Sequence, residues 1–179
     1  MTLGKRMTSG QWRQHPKLLG RFHPEHPDDV QVVVHEGGPR TAKSRPELIW
    51  VRVSGQSEDA FVGTLLNAPT QLQTIEVGAE VLFIVPDGFE HPIRATAQYL
   101  AERVRWTIHP CDKCGMSELF DPPSILAAKV FPGVPNIEMF SALCPICGGA
   151  QVVEKRGLEV EVTAPAPKSW WRRLFSGSS

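Results

Sequence analysis

The sequence contains no apolar stretch of the roughly 18 residues that a membrane-crossing helix needs. Met1 to Gly20 is polar and carries no hydrophobic segment of the kind found in secretory signals. These absences make the cytoplasm the expected compartment. An excess of charge is missing too: 19 Lys and Arg face 19 Asp and Glu, which removes the electrostatic case for a general nucleic-acid binder or a polyanion mimic. Any charged site must be local. The chain has no Gly-x-Ser-x-Gly elbow, no phosphate-binding loop and no dinucleotide fingerprint. Cysteine is scarce, with four in 179 residues, and tyrosine occurs once, at Tyr99.

What is present describes an ordinary folding chain. With 41% hydrophobic and 21% charged residues, neither a disordered chain nor a fibrous repeat fits. Sixteen Pro and fifteen Gly favour short strands and ordered loops over a helical bundle. The expected fold class is α+β: a small bent antiparallel sheet or open barrel, one packed helix and a zinc-ribbon-like lobe.

The chain divides into four segments. Residues 1–29, with Pro16, Pro24 and Pro27, read as an extended arm over the core. Residues 30–105 form a β-rich unit. Its first strand is Val30 to His35, β-branched and ended by Glu36-Gly37-Gly38-Pro39; Leu48 to Val53 and Ala60 to Leu66 make a hairpin; Glu80 to Val85 is a fourth strand. From Pro92 to Trp106, Ile93, Ala97, Leu100 and Val104 fall at helical spacing, predicting a helix laid on the sheet. Residues 106–156 carry the cysteines, with a second helix predicted at Ser124 to Val130. Residues 157–179 comprise an edge strand around Glu159 and Glu161, an Ala164-Pro165-Ala166-Pro167 linker and an aromatic-basic tail.

The cysteines fall as Cys111-x-x-Cys114 and Cys144-x-x-Cys147, each pair followed by glycine. A Cys-x-x-Cys turn folds its backbone over two thiolates, and two such turns complete the tetrahedral shell that zinc prefers. One structural Zn2+ at Cys111, Cys114, Cys144 and Cys147 is therefore expected, with disulfides or a thiol–disulfide enzyme as the competing chemistry. Because all four ligands would be thiolates, no position stays open for Lewis-acid catalysis. Across Trp106 to Arg156, four basic residues stand against five acidic ones. A zinc ribbon meant for nucleic acid should be basic.

Five His-Pro dipeptides, at His15, His23, His26, His91 and His109, read as loop rigidifiers with exposed imidazoles. His23-Pro-Glu-His26 has the residue types of a metal site, and His109 is placed to donate to a thiolate. The tail Trp170-Trp171-Arg172-Arg173-Leu174-Phe175 combines indoles, cations and aliphatics. It suits a protein groove or a second copy of the chain, and at most weak peripheral membrane contact.

Trp50, Gly63-Thr-Leu-Leu-Asn67-x-Pro69 and Gly78 followed by Val81 and Phe83 together resemble the bacterial YegJ-like domains of uncharacterised function, over about residues 47–85. Pro27-Asp-Asp-Val-Gln-Val32 with two knuckles downstream is similar to longer bacterial proteins that join this domain to a cysteine-rich end. Shorter family members end their last strand in Asp-Trp, whereas here Pro86-Asp-Gly-Phe leads onward. The resemblance implies a small β domain without known catalytic residues. The expected function is thus a non-enzymatic, zinc-stabilised interaction module, such as an adaptor or toxin-neutralising partner. The alternatives are a zinc-ribbon nucleic-acid binder, which needs Arg45, Arg52, Arg94, Arg103 and Arg105 on one face, and a Cys-x-x-Cys oxidoreductase.

Overall fold

A computed structural model describes residues 10–37, 45–57 and 60–157. Strands β1 (Asp29–Val34), β2 (Glu47–Gln56), β3 (Phe61–Leu65), β4 (Glu80–Ile84) and β5 (Ile93–Ala95) follow one another as an antiparallel meander. An odd number of strands in such a meander leaves the first and last running the same way. The sheet accordingly closes through one parallel contact, Val33 with Ile93, to give a five-stranded barrel. The sheet expected to be antiparallel or open is therefore closed, and its closing pair is parallel.

The barrel interior is built by alternation. Val30, Val32 and Val34 of β1 point inward with Ile49, Val51 and Val53 of β2, against Phe61, Leu65 and Phe83. Asn67 of the Gly63-Thr-Leu-Leu-Asn67-x-Pro69 motif has a specific role, since its Oδ1 accepts the Trp50 N–H at 2.9 Å. The loop beyond it is pinned by two carboxylates: Glu47 accepts from the N–H groups of Thr70 and Leu72, and Glu36 from those of Gln73 and Thr74. Within the stretch read as an extended arm, the described residues 10–28 are a string of turns that includes a 3-10 turn at Gln11–Gln14. It buries Trp12 and Leu18 in the barrel core, and Asp28 holds it by accepting from Trp12 Nε1 and, in a fork, from Arg13.

The predicted Pro92–Trp106 helix is three elements. Ile93–Ala95 is β5, then come α1 (Ala97–Arg103) and β6 (Trp106–Ile108). The helix starts late because Thr96 is its N-cap, its hydroxyl accepting from Tyr99 N–H at 3.1 Å. Helix α2 (Pro123–Val130) lies where the sequence placed it. Two strands not foreseen, β7 (Met139–Leu143) and β8 (Ala150–Lys155), join β6 in an antiparallel sheet of order β6-β8-β7.

Barrel and lobe share their cores. Ile84 and Ala95 pack with Tyr99, Trp106, Phe140 and Val153, while Val33 and Ile93 pack with Cys111, Met116, Phe120 and Cys144. Val32-Val33-Val34 and Phe83-Ile84-Val85 are consequently buried on both faces, which is why they are continuous apolar runs rather than alternating ones. Among the described residues no helix is long and apolar enough to cross a membrane. The edge strand expected around Glu159, the linker and the tail lie outside the described residues.

Candidate metal centre

Two Cys-x-x-Cys turns face each other as near copies. In the first, Cys111 N–H donates to Met116 O at 2.8 Å and Gly115 N–H to Cys111 O at 3.0 Å. In the second, Cys144 N–H donates to Gly149 O at 2.7 Å and Gly148 N–H to Cys144 O at 2.9 Å. Gly115 and Gly148 both adopt positive φ, 73° and 71°, which an L side chain resists. Each sulfur receives an N–H from two residues on: Lys113 to Cys111 at 3.5 Å, Gly149 to Cys147 at 3.4 Å, Met116 to Cys114 and Ile146 to Cys144. These donors orient and partly neutralise thiolates.

The sulfurs converge across the turns as well as within them. Cys111 Sγ stands 3.5 Å from Cys147 Sγ, and Cys114 Sγ 3.6 Å from Cys144 Sγ, with all four within 4.8 Å of one another. Metal–sulfur bonds of about 2.3 Å at tetrahedral corners put sulfurs about 3.8 Å apart, so the four cysteines fit one metal ion. Gly149 admits no side chain, since a Cβ there would lie 2.6 Å from Cys111 Sγ and 2.5 Å from Asp112 Oδ1. That Asp112 oxygen also accepts from Ala150 N–H at 2.8 Å, tying one turn to the strand that follows the other.

As free thiols Cys114, Cys144 and Cys147 would ionise unequally. Burial pushes Cys144 up to about 12 and Cys114 upward. The Gly149 N–H brings Cys147 down to about 7. A coordinated cation overrides this disparity by holding every thiol deprotonated. Cys111 and Cys144 are buried against the barrel, whereas Cys114 and Cys147 face solvent.

The surroundings include groups that sequence reasoning did not single out. Gln151 on β8 is buried and donates from Nε2 to Met116 O at 2.7 Å, bracing the first turn. Tyr99 donates its hydroxyl to the Glu118 carboxylate, which also takes Arg103 Nη2 at 2.6 Å. Leu119 N–H in turn donates to the Tyr99 oxygen at 3.1 Å. Burial pushes Glu118 upward against the pull of those partners. Nothing in the spacing of Tyr99, Arg103 and Glu118 signals this link between α1 and the lobe.

Other candidate residues fare differently. The His109 ring meets a carboxylate rather than a thiolate, its Nε2 lying 3.4 Å from Glu154 Oε2. Of the arginines required on one face, Arg52 pairs with Asp29, Arg94 donates to His35 O and Arg103 is held by Glu118. Trp170, Trp171, Arg172, Arg173, Leu174 and Phe175 lie outside the described residues. Comparison with family models, with curated proteins and with solved structures finds no match to the chain.

Proposed function

We propose that the chain is a non-enzymatic binding module, held by one structural zinc ion in a ribbon-like lobe, that acts through a protein partner or a second copy of itself. The observation that carries this reading is the closed thiolate shell built against the barrel wall. Four protein sulfurs lie within 4.8 Å of one another, enough to fill a tetrahedral shell around one ion, which suits zinc and would leave no open position on the metal for substrate. The crosswise approach of Cys111 to Cys147 and of Cys114 to Cys144 favours a shared ligand over two independent redox pairs. Three of five required arginines engaged within the molecule weigh against a nucleic-acid surface.

On this reading the Trp170–Phe175 segment supplies the contact, and the setting is a bacterial cytoplasm, where thiols stay reduced. The YegJ-like resemblance of residues 47–85 fits an adaptor or toxin-neutralising role. The test pairs two measurements on the full chain. The protein should reduce no disulfide substrate above background, and deleting residues 168–179 should change its sizing profile or its retention of partners while metal content stays constant. Disulfide turnover, or a truncated chain indistinguishable in both sizing and retention, would sink the reading.

A further inference from the structure

The loop before β1 holds a second set of metal-binding side chains. His26 N–H donates to His23 O at 3.2 Å and Asp29 N–H to His26 O at 2.9 Å, making two successive turns. Pro24 and Pro27 occupy the second position of each, where the fixed φ of proline suits a turn. The loop is also stitched at its ends, by His23 N–H to Asp29 O at 2.8 Å and by the bridge between Phe22 and Val30. His23 and His26 are thus brought together across a turn already rigid, their ring centroids 5.0 Å apart.

Glu25 completes the set: one ligand atom from each of His23, Glu25 and His26 lies within 4.8 Å of the other two. All three are at least partly exposed. Two imidazoles and a carboxylate form a donor set for first-row divalent transition cations, in which nickel, copper and zinc bind most strongly. We infer that His23, Glu25 and His26 form a solvent-open site for one such cation, separate from the cysteine centre and independent of what the cysteines hold. Three protein ligands leave positions for water or for a donor atom of another molecule, unlike a closed structural shell.

Two details shape the site. His23 Nδ1 accepts the Glu25 N–H at 3.1 Å, so its lone pair is already turned into the loop and a cation at that nitrogen must displace the N–H. The Trp50 ring lies 5.1 Å from the His23 ring at 76°, which places an indole where a paramagnetic ion in the site quenches it.

The experiment titrates Ni2+ into the full chain carrying its resident cysteine-bound metal, reading bound nickel by mass spectrometry and tryptophan emission in parallel. One additional equivalent should bind saturably and quench emission. Losing an outer-shell partner already costs metal sites about 10- to 100-fold, so His26→Ala should weaken nickel binding by at least that factor while the melting temperature and resident metal stay unchanged. Trp50→Phe should keep the nickel and lose most of the quench, and His109→Gln should change neither. Absence of a saturable equivalent, or one that persists in His26→Ala and in His23→Ala/His26→Ala alike, overturns the site.

Discussion

His35 lies flat on Phe120, ring centroids 3.8 Å apart and planes 2° from parallel. The contact joins the chain just beyond β1 to the lobe that carries the cysteines, and both rings are buried. His35 Nδ1 accepts the Gly37 N–H at 3.1 Å, so Nε2 carries the proton and donates to Arg94 O at 2.6 Å. Arg94 answers by donating to His35 O at 2.7 Å. This arrangement holds only a neutral imidazole.

Acid should therefore loosen this joint. Burial lowers the His35 pKa from 6.5 to about 4. A depressed histidine binds its proton in the unfolded chain first, so its contribution to stability is complete above the unfolded value and is lost as pH falls from about 6.5 towards about 4. The full effect is about 3 kcal/mol. Urea midpoints compared between wild type and His35→Gln across this range should converge as pH drops; curves that stay parallel would refute it.

Metal analysis of protein purified without added zinc should give near one equivalent held by the cysteines. Chelation should lower the melting temperature, because ligand binding and folding are one equilibrium here. Cys144→Ser, at a buried corner, should lose the metal and destabilise the chain. Disulfides within each Cys-x-x-Cys pair of metal-free protein would overturn the assignment.

Gly149→Ala should impair the centre more than a change at its neighbour. The new methyl meets Cys111 Sγ and Asp112 Oδ1, whereas Gly148 has nothing within 4 Å of its Cβ position. Gly148→Asn, with a residue that tolerates positive φ, should keep cobalt or zinc affinity near wild type. Cobalt titration followed by thiolate charge-transfer absorbance compares the two, and equal losses would contradict the steric argument.

The loop after β3 should open in acid before the barrel does. Hydrogen bonds from Thr74 and Gln73 hold Glu36 below the usual carboxylate range, and those from Thr70, Gln71 and Leu72 do so for Glu47 against its burial. Depressed carboxylates stabilise above their unfolded values and cease to as pH falls through the folded ones. Hydrogen exchange at Thr70 to Thr74, corrected for intrinsic rate, should rise on acidification in wild type and be raised already at neutral pH in Glu47→Gln; loop protection unaffected by that substitution would count against the account.

Legibility followed sequence separation. Strands β1 to β4 were readable because runs of Val, Ile, Leu and Phe lie between the breakers at Gly37 and Pro69, although β2 continues through the expected break at Gly55 to Gln56 with a bulge after Val53. Strand β5 was not, since Ile93-Arg94-Ala95 is short and continues with helical spacing, and its partner β1 is remote in sequence. The cysteine centre was readable from spacing alone, yet its supports at Gln151 and Asp112 depend on how β8 and the first turn meet. The loop with His23 and His26 looked like rigid coil because periodicity carries no information about turns that fold side chains together. Val33 carries the sign of a second layer, since an outward valine in a strand needs a cover.

That cover governs the order in which the molecule can assemble. Each hairpin of the meander joins neighbours in sequence and closes a short loop, whereas the Val33–Ile93 seam must bring distant segments together against chain entropy. Both seam residues share one buried cluster with Cys111 and Cys144, so the barrel closure and the cysteine turns depend on the same packing. Without that seam the edges of β1 and β5 are unpaired, and unpaired strand edges favour pairing with other copies.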